Sequence, residues 1–142
     1  MALMSDSVRD EVAQFLEKLD QPVVCRFYPK AEHPASEAMG QLLEELASLN
    51  PKIHVQRENE MPAPVPPETA DELESSITVI GLDGQKSGVR YLGFPGGHEF
   101  GAFLEDLLRV STNAAPNLAA ATVEYLQGLK DPVHLQVFVT PT

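Results

Sequence analysis

The chain has few side chains that could carry covalent chemistry, and one of them is its only cysteine. Cys25 lies in the apolar run VVCRFY, residues 23–28, where strand alternation puts it on the same face as Val23 and Phe27. A free cysteine in a strand behaves as a small apolar residue, so the pattern favours a buried, structural thiol. The alternative is a peroxidatic or mixed-disulfide thiol, which needs exposure and a depressed pKa.

A second candidate pair is His33 and Ser36, which stand three residues apart where a helix is predicted to begin. A histidine base beside a serine nucleophile is the arrangement that hydrolases use. The sequence shows neither an orienting carboxylate nor an oxyanion hole for this pair. We therefore interpret both residues as capping and surface residues, with a hydrolase-like use as the alternative.

The remaining histidines do not have the spacing of metal ligands. His54, His98 and His134 fall in different predicted elements, with no i, i+4 pair and no neighbouring cysteine.

The GGHE motif, residues 96–99, precedes a predicted helix, where free amide groups attract anions. The lone glycine pair lacks an acidic ribose partner, so we interpret it as a tight turn with Glu99 capping the helix or pairing internally. We predict no metal and no cofactor.

The net charge of the chain limits the kinds of molecule that it is expected to bind. The 142 residues include 10 basic and 21 acidic side chains, a net charge of -11 with a pI near 4.6. This is the wrong sign for nucleic acid or anionic lipid, so neither is expected as a partner. No apolar run approaches the ~18 residues of a spanning helix, and the start, MALMSDSVRD, lacks the regions of a signal peptide. We predict a cytoplasmic protein.

The elements that must position these residues follow from periodicity and turn signals. The sequence predicts helices at 6–19 and 34–49, strands at 23–28 and 53–57, a hairpin of 77–81 and 88–93 around Leu82-Asp83-Gly84-Gln85, a helix with Glu99 in its first turn, a helix entered at Pro116-Asn117, and a last strand at 133–139. A βαβ unit followed by a ββα unit favours an α/β, thioredoxin-like fold with a mixed sheet and flanking helices.

One stretch departs from the rest in composition. Residues 58–74 carry six carboxylates and no basic residue, and residues 62–67 contain four prolines. Such a composition is typical of a solvated loop. A docking surface for a basic partner is the alternative.

The stretch GVRYLGFPGGHEFGAFLEDLL, residues 88–108, resembles the N-terminal thioredoxin unit of the protein disulfide oxidoreductases, which are glutaredoxin-like proteins. VFVTPT, residues 137–142, resembles the first strand of that family's second unit. The chain is similar as well to the N-terminal region of the alkyl hydroperoxide reductase flavoprotein, through FLEKL and GHEF. The resemblance implies a thioredoxin-fold unit over 1–130 and, at 131–142, a strand that begins a second unit.

The resemblance also locates the family's redox site, which is degenerate here. Its two cysteines correspond to the ends of His33-Pro34-Ala35-Ser36, and its cis-proline corresponds to Ser76, counted back from the hairpin glycine. A dithiol site needs a first cysteine at a helix N-terminus and a second one turn later. Both halves of the site are therefore absent from this sequence.

We accordingly expect a redox-inactive scaffold or recognition half of a disulfide oxidoreductase or peroxide-reductase-like system. Its partner would be a protein or a second thioredoxin unit. Residues 132–142 would pair with a sheet edge in the same molecule or in a second copy, which would give a homodimer. The alternative is a stand-alone enzyme that uses Cys25, or His33 with Ser36.

Overall fold

Eight helices and strands make up the described part of the chain, which in this computed structural model is residues 2–60, 76–83 and 89–139. In chain order they are α1 (Asp6–Leu16), β1 (Val23–Tyr28), α2 (Pro34–Leu49), β2 (Ile53–Arg57), β3 (Ile77–Leu82), β4 (Val89–Leu92), α3 (Glu99–Thr112) and α4 (Ala120–Gln127).

The four strands form one mixed sheet in the order β2-β1-β3-β4. β1 and β2 are parallel, and α2 connects them, as a crossover between parallel strands requires. β3 is antiparallel to β1, and β4 is antiparallel to β3. The predicted α/β architecture with a mixed sheet and flanking helices is therefore confirmed.

Strand register decides which side chains face the helices. Cys25 lies opposite Val55 on β2 and Ile80 on β3, and these three residues share one face of the sheet. That face packs against the helices and forms the apolar core. The largest fully buried side chains in the core are Phe27, Phe103, Leu16, Met39, Leu43, Leu46, Ile80 and Leu107.

The N-terminal helix is attached to α2 through one carboxylate. Glu45 accepts hydrogen bonds from the guanidinium of Arg9 at 3.1 Å and from the backbone N–H groups of Leu3 and Met4. Ser5 caps α1 by accepting a hydrogen bond from the N–H of Val8, as an N-cap serine does.

One helix ends earlier than predicted. α1 ends at Leu16, three residues before the predicted end, although Leu19 remains buried in the core. Most of the predicted acidic loop lies outside the described residues, in the range 61–75. Part of the predicted hairpin turn also lies outside them, in the range 84–88.

The C-terminal part differs most from the prediction. A helix does follow Pro116-Asn117, but it begins at Ala120 and none of its residues is buried. Residues 132–139 form no regular structure and are exposed, so the strand predicted there is not formed in the single chain. The physical reason is that a strand forms only beside a neighbouring strand. In the described part of the chain, residues 132–139 pair with neither edge strand of the sheet, β2 or β4.

Candidate functional site

The end of β1 and the start of α2 carry the residues assigned to the degenerate redox site. α2 begins at Pro34, whose fixed φ and missing N–H suit a first helical position. His33 is the N-cap residue and makes no side-chain cap bond, and Glu32 before it has a left-handed φ of 56°. Ser36 is buried, and its Oγ accepts a hydrogen bond of 2.8 Å from the backbone N–H of Lys30.

Ser76 lies at the same end of the sheet. It immediately precedes β3, whose first residue, Ile77, pairs with Tyr28, the last residue of β1. Its carbonyl accepts a hydrogen bond of 2.8 Å from the N–H of Gly93, and its side chain is fully buried. The structure therefore brings the position assigned to the cis-proline next to the loop that leads into α2.

Buried polar atoms without a hydrogen-bond partner gather at this end. In the described part of the chain they are His33 Nδ1, Ser76 Oγ and Thr78 Oγ1. Thr78 pairs with Phe27 of β1 and is fully buried on the helix-facing side. Thr78 was not predicted as a site residue because it lies in an apolar run, although its alternation with Ile80 was a usable signal.

The arrangement does not assemble a hydrolase site. The His33 ring makes no hydrogen bond to the Ser36 hydroxyl group among the described residues; the two residues are joined through the backbone, where the N–H of Ser36 donates to the carbonyl of His33 at 2.9 Å, and the Ser36 Oγ accepts from the N–H of Lys30. A base that is not bonded to its nucleophile cannot take its proton without a rearrangement. The pair is therefore brought to one end of the sheet but not into a base–nucleophile contact.

Cys25 is separate from that end and lies in the core. Its side chain is fully buried, and removal from water raises the pKa of the thiol to about 12. The thiol therefore stays protonated near neutral pH, and the thiolate is the reactive form. The structure thus gives Cys25 neither the exposure nor the low pKa that a reactive thiol requires.

A polar pair links β4 to α3. The Tyr91 hydroxyl donates a hydrogen bond of 2.7 Å to Asp106, and its ring meets Phe103 edge-on with centroids 4.9 Å apart. Burial raises the Tyr91 pKa above its usual value, and the hydrogen bond to Asp106 and the charges of Asp106 and Glu99 raise it further. Burial also raises the pKa of Glu99.

Two backbone donors at the start of α3 are used within the glycine turn before it. The N–H groups of Glu99 and Phe100 donate to the carbonyls of Gly96 and Gly97, at 3.2 and 3.3 Å. Gly97 has a φ of 57°, which favours glycine, so the tight-turn interpretation has direct support.

The described residues include no group of three or more histidine, cysteine, aspartate or glutamate side chains that could hold a metal. The His54 ring instead contacts the carbonyl of Pro51 at 3.1 Å. Over the same described ranges, no helix is long and apolar enough to cross a bilayer.

Solved structures share this architecture. The alkylhydroperoxide reductase AhpF of Enterococcus faecalis superposes with a TM-score of 0.68 over 89% of this chain and 61% of its own, at 24% identity. A protein disulfide oxidoreductase of Aeropyrum pernix superposes with a TM-score of 0.66 over 89% of this chain and 55% of its own, at 22% identity. The fold is thioredoxin-like.

Sequence comparison agrees with the structural one. The alkyl hydroperoxide reductase AhpF of Staphylococcus epidermidis is 32% identical over 63 residues, 44% of this chain. An NADH dehydrogenase of Bacillus subtilis is 23% identical over 140 residues, 99% of this chain. The chain is similar to AhpF in sequence over part of its length and in fold over most of it. The predicted resemblance is therefore confirmed, although no family model matches.

The matched region is a small part of these relatives. It covers 12% of the Staphylococcus epidermidis protein and 25% of the Bacillus subtilis protein.

Proposed function

We propose that this chain is a redox-inactive thioredoxin-fold module, which serves as a scaffold or recognition unit in a disulfide-exchange or peroxide-reducing system. The observation that carries the proposal is the state of its only thiol. Cys25 is buried in the core with a raised pKa, while His33 and Ser36 occupy the loop and first turn where the family's two cysteines are expected.

The alternative enzymes have less support. A stand-alone thiol enzyme needs Cys25 to be exposed, and a hydrolase needs the His33 ring to accept a hydrogen bond from the Ser36 hydroxyl group; the geometry supplies neither. Thiol labelling of the native protein tests the first alternative. Rapid labelling of Cys25 below pH 8 would contradict the proposal, whereas labelling only after unfolding supports it.

The main test is the reduction of insulin by dithiothreitol. We expect no acceleration above the uncatalysed rate, because one buried thiol cannot complete a dithiol cycle. Turnover that depends on Cys25, shown by its loss in Cys25→Ser, would overturn the proposal.

A double variant tests where the degenerate site lies. His33→Cys with Ser36→Cys should form a disulfide on mild oxidation of the monomer, because one helical turn at a helix N-terminus brings two such side chains within bridging range. Both introduced thiols should disappear in titration, with the Ser36→Cys single variant as the control. Thiols that stay free, or that crosslink only between molecules, would show that the position is wrong.

The partner that we propose is a protein or a second thioredoxin unit, reached through residues 132–142, of which 132–139 are described. A homodimer through this segment is the form expected when no second unit is available. We also propose a cytoplasmic location for the chain, because a lone thiol stays reduced in that compartment.

A further inference from the structure

We draw no further inference here: the strongest candidate, the two buried hydroxyl groups of Ser76 and Thr78 at the end of the sheet beside the start of α2, which have no hydrogen-bond partner among the described residues, belongs to the site already described.

Discussion

Two buried serines at opposite ends of β1 differ in what their hydroxyl groups contact. Ser111, near the end of α3, accepts a hydrogen bond of 2.8 Å from the N–H of Asp20 and donates one of 2.7 Å to the carbonyl of Gln21. Both partners lie in the segment that enters β1. Ser76, beside the other end of β1, has an equally buried hydroxyl group with no partner.

The two ends of β1 therefore differ in the hydrogen bonds of their buried hydroxyl groups: Ser111 bonds two backbone groups, and no described residue bonds the Ser76 hydroxyl group. Ser111 satisfies two backbone groups that α1 and β1 leave unpaired, so each of its bonds supports the fold. At the Ser76 end, His33 and Thr78 are similarly without partners for their buried atoms.

The largest effect on the free energy of unfolding is expected at the Ser111 end of β1. Ser111→Ala should lower the free energy of unfolding by about 1–3 kcal/mol, because it leaves a buried N–H and a buried carbonyl without partners. Ser48→Ala is the matched control, since its hydroxyl bonds one helical carbonyl in an exposed position, and it should change stability by less than about 0.5 kcal/mol. Urea unfolding measures both. Equal effects would mean that the two hydrogen bonds of the Ser111 hydroxyl group do not stabilise the fold.

The first three elements of the sheet and its crossover could be predicted from the sequence. β1, α2 and β2 have the predicted bounds, because each is delimited by a proline or asparagine and has a clear apolar period. The end of α1 was missed because Leu19 continues the helical period. It is buried in a turn, where its N–H bonds the carbonyl of Leu16.

The C-terminal segment and the buried hydroxyl groups were beyond sequence reasoning for different reasons. Residues 133–139 have a strand pattern, but a strand forms only beside another, and the pattern does not say whether one is available. Ser76 and Thr78 were not expected to be buried and unpaired, because satisfaction of a hydroxyl group depends on atoms from distant segments. The assignment of Ser76 to the cis-proline position stays a prediction.

Tyr91 lies opposite Thr78, on β4, and its hydroxyl group has a partner in Asp106 whereas that of Thr78 has none among the described residues. Its pKa is raised from 10.0 in the folded chain, so the unfolded chain ionises first as the pH rises. The contribution of Tyr91 is therefore fully present below pH 10 and is lost progressively above it.

Tyr91→Phe should cost about 1 kcal/mol at pH 7, near the low end for a hydrogen bond to a charged group, because Tyr91 is only half-buried. Above pH 10 the difference from the parent should shrink, since the variant has no hydroxyl group to ionise. Thermal melts at pH 7 and pH 10.5 measure the effect. A difference that grows with pH would contradict the sign of the pKa shift.

The smallest effect on the free energy of unfolding is expected at the Ser76 end of β1, where the sign of the change matters more than its size. Ser76→Ala removes a buried hydroxyl group that has no partner, so the free energy of unfolding should stay unchanged or rise by up to about 1 kcal/mol. Ser111→Ala, measured under the same conditions, provides the opposite sign. If Ser76→Ala were as destabilising as Ser111→Ala, the Ser76 hydroxyl would have to be bonded in solution, for instance to a buried water shared with Thr78 or His33. The buried serine hydroxyl groups at both ends of β1 would then have hydrogen-bond partners, and the two ends would not differ in this respect.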